Sequence, residues 1–234
     1  KYGKAKIALP GGCAIGSRPV NYHLDALEQL GASITLRNGY IEASADRLIG
    51  TKIKFDGITV TGTENIMMAA CLAEGTSVLT NVAKEPEIID LADLLNKMGA
   101  KVSGAGTDEI TIEGVKELYG CEFSIPSDRI EAGTYLVAAV VTGGEITINE
   151  INPQRLNKVL DKLKETGAKI ILTKNSIFLS MDKKKPKPVD ITTAPFPEFP
   201  TDMQAQFSVI NAISDGVSNI YETVFENRFM HVQE

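Results

Sequence analysis

Three Gly-Ala pairs, Gly31-Ala32, Gly99-Ala100 and Gly167-Ala168, stand 68 residues apart in each interval. So strict a period means that one supersecondary unit is built several times and that neighbouring copies share a core. Each pair closes an amphipathic run: Tyr22–Leu30, with leucines at 24, 27 and 30, then Ile88–Met98, then Leu156–Thr166. Glycine directly after such a run is the ordinary helix stop. Beyond each stop come two short strand-like segments: Ser33–Leu36 and Tyr40–Ala43, joined at Asn38-Gly39; Lys101–Ser103 and Glu109–Glu113; Lys169–Thr173 and Ser176–Ser180.

A second helix and strand recur with the same period. Ile66–Glu74 stops at Gly75 and precedes a strand at Ser77–Asn81; Tyr135–Thr142 stops at Gly143 and precedes Glu145–Asn149. A third copy, Met203–Ser214 followed by Ser218–Thr223, is displaced by about five residues. The unit therefore reads βαβαββ, an α/β (α+β) class. Two helices on one face of a four-stranded sheet bury that face alone, so several units have to pack helix side inward. The first unit lacks its opening strand and helix, and the last ends after one helix and the next strand. The expectation is an internal portion of a longer protein.

Composition narrows the function classes. With 43% hydrophobic and 23% charged residues the chain reads as globular, and no apolar run reaches membrane-spanning length. Without a signal-peptide pattern, the cytosol is the expected compartment. A net charge of −6 argues against nonspecific nucleic-acid binding. The basic cluster Lys183–Lys185, Pro186, Lys187 and Pro188 has no interleaved aromatics and reads as a solvated loop. Three cysteines without Cys-x-x-Cys spacing and two histidines predict no disulfide framework, no metal centre and no cofactor.

Chemistry concentrates in Pro10-Gly11-Gly12-Cys13-Ala14-Ile15-Gly16-Ser17-Arg18-Pro19. Its glycines exclude a regular helix or central strand, so it reads as a loop. Arg18 offers a planar fork for a phosphate or carboxylate, and Cys13 is either a nucleophile, a proton donor or merely a small apolar filler. The glycines predict a loop that is mobile when empty and closes over a ligand. Three strand-to-helix junctions, at Thr59 to Glu64, Pro126 to Arg129 and Pro200 to Met203, each place a Ser, Thr or Asp where it can cap a helix and leave N–H groups for an anion. For Asp128 and Asp202 the plainer reading is a cap or first-turn acid. Asp202, approached through Pro195, Pro197 and Pro200, also sits on a turn stiff enough for general-base work on a hydroxyl.

The cysteine loop, together with Leu-Ala-Glu-Gly-Thr at 72–76, Glu-Pro-Glu-Ile at 85–88, Pro-Thr-Asp-Met-Gln-Ala-Gln-Phe at 200–207 and Phe-Glu-Asn-Arg-Phe-Met-His at 225–231, resembles the UDP-N-acetylglucosamine 1-carboxyvinyltransferase family. That resemblance implies the enolpyruvyl transferase fold: two similar domains of three units each, an inverted α/β barrel with helices inside, sheets outside and the active site between the domains. By it, residues 1–126 are the later part of the first domain and 127–234 the early part of the second, each incomplete here. The implied reaction moves the enolpyruvyl group of phosphoenolpyruvate to the 3-hydroxyl of UDP-N-acetylglucosamine and releases phosphate, the first committed step of peptidoglycan synthesis in bacteria. Fosfomycin-type inhibitors are implied as ligands.

The resemblance assigns roles residue by residue. Cys13 is implied as general acid toward the methylene carbon, Asp202 as general base toward the sugar hydroxyl, and Arg18 as the phosphate grip. Pro19, Val20, Asn21 and Tyr22, with Gly57, Ile58, Thr59, Val60 and Thr61, match the runs that hold uridine and diphosphate. Val224 matches a contact on the acetamido side, and Arg228 an electrostatic tie between domains. Cys71 and Cys121 match no role and read as core. Asn21 stands where many members carry Asp, and Gly57 where some carry Lys. The family also uses a Lys-Asn pair and two further arginines that this sequence does not contain. The alternative is a truncated, non-catalytic module that binds a sugar nucleotide or phosphate.

Overall fold

The computed structural model describes residues 2–11 and 20–233. These form two compact units, one ending at Ser124 and the next starting at Ile125. The first contains β1 (Lys4–Ala8), α1 (Asn21–Gln29), β2 (Ser33–Arg37), β3 (Tyr40–Ser44), β4 (Lys52–Lys54), α2 (Val60–Ala70), β5 (Thr76–Thr80), α3 (Pro86–Lys97), β6 (Lys101–Ser103) and β7 (Glu109–Glu113). Its sheets run β1-β3-β2 and β4-β5-β7-β6. Only β4 and β5 are parallel; the other pairs are antiparallel. Ile53, Leu79, Val102, Ile110 and Ile112 point from the larger sheet into one core with Ala26 of α1 and its C-cap Leu30, Ile66 and Met67 of α2, and Ile88 and Leu95 of α3. Both repeats of this unit thus share one helix-side core, as one-faced sheets require.

The second unit contains α4 (Arg129–Val141), β8 (Glu145–Asn149), α5 (Asn157–Glu165), β9 (Lys169–Leu172), β10 (Ser176–Ser180), β11 (Ile191–Thr192), α6 (Gln204–Ile213) and β12 (Ile220–Tyr221). An antiparallel sheet β8-β10-β9 and a parallel pair β11-β12 surround a core of Leu136, Val140, Leu160, Leu163, Ile177, Leu179, Met203 and Phe207. Phe199 and Phe207 meet edge to face at 5.0 Å and 89°, a favoured aromatic geometry.

The 68-residue period is visible in backbone angles. Gly31, Gly99 and Gly167 have φ of +97°, +101° and +98°, a conformation in which a Cβ is strained. At the first, Gly31 N–H donates to Glu28 O at 2.8 Å and Ala32 N–H to Leu27 O at 3.0 Å; Gly99 to Asn96 and Ala100 to Leu95 repeat the pair. This is the Schellman closure, which satisfies the last helical carbonyls and turns the chain into the next strand. The hairpins that follow are not identical. Thr35 faces Glu42 and Ile171 faces Phe178, but Ser103 faces Thr111, so the middle hairpin holds one extra residue.

Some expectations need correction. The helices expected from Ile66 and Tyr135 begin six residues earlier, at Val60 and Arg129, because their first turns carry Thr, Gly and charged residues that break the apolar period. No strand precedes α4: among the described residues 114–128 contain no helix or strand. In that segment Cys121 is exposed rather than part of a core, whereas Cys71 is buried, and burial pushes its thiol up to about 11. The basic run does lie in a loop, where Lys185 pairs with Asp215 at 2.5 Å.

α1 meets α2 through a polar seam as well as the core. Asn65 Nδ2 donates to His23 Nδ1 at 2.9 Å, which leaves the proton on Nε2, 3.4 Å from Thr61 Oγ1. Burial lowers the pKa of His23, because an imidazolium there loses hydration.

Two outcomes are expected. Gly167 has open space where a Cβ would go, so Gly167→Ala tests the backbone alone and should lose about 1 kcal/mol, or about 2–4 °C in Tm. Gly120→Ala, also in open space but outside the left-handed region, should leave Tm unchanged; equal effects at both sites would contradict the account. For His23, the unfolded chain takes up the proton first, so its contribution is complete above pH of about 6.5 and is lost as pH falls below that value. Denaturation curves from pH 7.5 to 5 should therefore fall more steeply for the wild type than for His23→Gln, and parallel curves would count against the buried neutral imidazole.

Candidate functional site

In the first unit, the carboxyl end of β4 runs into α2 through Gly57, Ile58 and Thr59. The parallel pairing of β4 with β5 continues past the strands: Phe55 N–H donates to Thr80 O at 3.1 Å, and Asn81 Nδ2 donates to Phe55 O at 2.7 Å. Thr59 caps α2, its Oγ1 accepting from Gly62 N–H at 3.1 Å while its carbonyl accepts from Thr63 Oγ1 at 2.7 Å. Helix starts at the carboxyl ends of parallel strands are where α/β folds place ligands.

Val20, Asn21 and Tyr22 open α1 beside this connection. The Val20 carbonyl takes the first helical bonds, from His23 and Leu24, and α1 has no side-chain cap. The Tyr22 ring lies so close to Gly57 that a Cβ there would stand 2.6 Å from its hydroxyl. With the His23 to Thr61 contact, this brings the segments 20–22 and 57–61 together. Cys13, Arg18 and Pro19, and the predicted closing of their loop, lie outside the described residues.

In the second unit the equivalent connection leaves β11 and enters α6. It carries Asp202 on a single 3-10 turn, Thr201–Met203. Met203 is fully buried, its side chain seated on Gly133 of α4, where a Cβ would come within 2.9 Å. Asp202 caps nothing: α6 has Met203 at its N-cap with no side-chain bond. Instead Oδ1 of Asp202 pairs with Arg228 Nη2 at 2.9 Å, the arginine side chain only 16% exposed and the aspartate 57% exposed. The guanidinium also lies 5.4 Å from the Phe225 ring centroid, which supports it from below. A carboxylate oriented by a largely sheltered cation yet itself open to solvent is chemically able to receive a proton from a bound hydroxyl.

Asp128 behaves otherwise. Its Oδ1 accepts from Ile130 N–H at 2.7 Å and Glu131 N–H at 3.2 Å, capping α4. Val224 is brought to Asp202 through an unpredicted residue, Glu222. Its carboxylate accepts from Thr201 Oγ1 at 2.9 Å on one oxygen, and from Thr193 Oγ1 and Val224 N–H, each at 2.8 Å, on the other. Sequence reasoning had no purchase on Glu222, because its partners come from three separated stretches. Glu64 is also perturbed: burial, then Glu87 and Glu85, raise its pKa. A cavity of about 70 Å³ beside Arg129, Arg155 and Phe196 is far below ligand-pocket size. No group of three or more metal-ligating side chains occurs among the described residues, and no helix there is long and apolar enough to cross a membrane.

Comparison with known proteins gives a consistent picture. Residues 1–234 match the family described as EPSP synthase (3-phosphoshikimate 1-carboxyvinyltransferase). The chain is 63% identical over 234 residues to UDP-N-acetylglucosamine 1-carboxyvinyltransferase of Ruthia magnifica subsp. Calyptogena magnifica, and 55% identical to that of Hydrogenovibrio crunogenus. In both cases all of this chain but only 56% of the relative is covered, so the chain spans about half the length of these curated relatives. Among solved structures, the enolpyruvyl transferase NikO from Streptomyces tendae superposes with a TM-score of 0.86 at 21% identity, covering 100% of this chain and 56% of that one. EPSP synthase from Acinetobacter baumannii gives 0.63 at 19% identity, covering 93% and 51%. The fold is that of these transferases, and over its full length the chain belongs to the EPSP synthase family of enolpyruvyl transferases.

Proposed function

We propose that the protein carrying this chain transfers the enolpyruvyl group of phosphoenolpyruvate to the 3-hydroxyl of UDP-N-acetylglucosamine and releases phosphate, in peptidoglycan synthesis in the bacterial cytoplasm. The observation that carries this reading is the 63% identity to a protein named for that reaction, together with a cysteine loop and a Pro-Thr-Asp-Met turn of the matching pattern. The segment ending at residue 126 serves as the later part of a first domain, and 127–234 as the early part of a second.

In this reading Cys13 delivers a proton to the methylene carbon, making C2 electrophilic. The sugar oxygen adds to C2 as Asp202 accepts its proton; the C2–O bond to phosphate then breaks as a methyl proton returns to the Cys13 thiolate, which restores the double bond and gives the enol ether. Arg18 holds the phosphate and stabilises its departure. Pro19, Val20, Asn21 and Tyr22, with Gly57, Ile58, Thr59, Val60 and Thr61, hold the nucleotide, and the pairing of these segments around Tyr22 supports a shared task. Val224 meets the acetamido side. Arg228 orients Asp202, its observed partner, and in this reading also serves as an electrostatic tie between domains.

Phosphate release from phosphoenolpyruvate, measured with and without UDP-N-acetylglucosamine, tests the reading on the complete protein. Release that needs the sugar nucleotide is expected, with Asp202→Asn slowing it by about 10²–10⁴-fold. Cys13→Ala should abolish covalent labelling by an epoxide phosphonate of the fosfomycin type. Calorimetric binding of the sugar nucleotide with no turnover would overturn the transferase reading in favour of a binding module.

A further inference from the structure

We infer that Glu222 is a positioning residue for the reaction: it locks the turn bearing Asp202 to the segment bearing Val224, and so sets the place of the base relative to the sugar. This rests on the reading of Asp202 as the base. Glu222 follows β12 and lies beside Thr193, which follows β11, at the carboxyl ends of the parallel pair. One carboxylate oxygen accepts from Thr193 Oγ1 at 2.8 Å, Val224 N–H at 2.8 Å and Phe225 N–H at 3.2 Å; the other accepts from Thr201 Oγ1 at 2.9 Å. Donor roles are fixed at Thr193. Its Oγ1 already accepts from Thr223 N–H at 3.0 Å, so its single proton goes to Glu222.

The internal repeat supplies a comparison within the molecule. Asn81 follows β5 as Glu222 follows β12, and the backbone bond past the strands is the same in both: Phe55 N–H to Thr80 O, and Thr193 N–H to Tyr221 O at 2.9 Å. The Asn81 amide makes a bond of another kind, to the carbonyl of Phe55 just past the neighbouring strand β4. Glu222 reaches further, to the residue preceding Asp202 and to the backbone of Val224. Arg228 fixes the Asp202 carboxylate from the other side at 2.9 Å, so turn and side chain are both held.

Glu222→Gln can keep this geometry: its Oε1 accepts the N–H bonds, and its Nε2 donates to a rotated Thr201 hydroxyl. Glu222→Ala cannot. The test compares kcat and KM of the complete protein for Glu222→Ala, Glu222→Gln, Thr201→Val and Asp202→Asn, each assayed well below its Tm. Glu222→Ala should lower kcat about 10–100-fold with little change in KM for phosphoenolpyruvate, Glu222→Gln should stay within about threefold of wild type, and Thr201→Val should fall between. Unchanged kcat in Glu222→Ala, or equal losses in the Gln and Ala variants, would overturn the positioning role while a dead Asp202→Asn leaves the base reading standing. Full activity in Asp202→Asn would overturn both. If Glu222→Ala does not fold, Thr201→Val decides, and wild-type kcat there overturns the inference.

Discussion

The arrangement of this molecule follows from sheets that bury one face only. Lys52-Ile53-Lys54 and Glu109 to Glu113 alternate exposed and buried residues, so a helix layer is needed on one side and excluded from the other. Once the helices share that side, each strand must hand the chain over the sheet's end to reach its helix. Those handovers are places where polar side chains can gather beside the core without entering it. The connections after β4 and β11 are of this kind, and they carry the two groups of candidate residues.

Much of this was legible. The period fixed by the Gly-Ala pairs gave the strands that follow the helix stops almost to the residue, because a helix stop and a two-residue turn are local chemistry, but it gave no bounds for β4 or β11. The Thr59 and Asp128 caps were legible for the same reason. Helix starts were not read from the apolar pattern: the first turns of α2 and α4 are packed through small and polar residues such as Gly62, Thr63 and Ala132. β1 went unread because Lys4–Ala8 has no neighbouring stop to mark it and depends on pairing with β3, far along the chain. Cys121 was misjudged because residue type says nothing about whether an element exists to bury it.

Asp128 and Asp202 illustrate what a junction motif leaves open. Both stand before a helix after a proline and a hydroxyl residue, and either could have capped it. At 128 the carboxylate is consumed by two backbone donors. At 202 a 3-10 turn intervenes, Met203 is drawn into the core against Gly133, and the carboxylate is thrown outward to Arg228. A buried methionine, not the aspartate itself, makes the difference between a structural acid and an available one.

The close approach of Tyr22 to Gly57 has a consequence for how this surface can vary. With 2.6 Å between a hypothetical Cβ at 57 and the phenol oxygen, the two positions are not independent. Any side chain at 57, including a cationic one, has to displace the ring or arrive with a smaller residue at 22. The pair is therefore a single steric locus shared by two distant stretches of sequence, and a side chain gained at 57 has to be accommodated at 22.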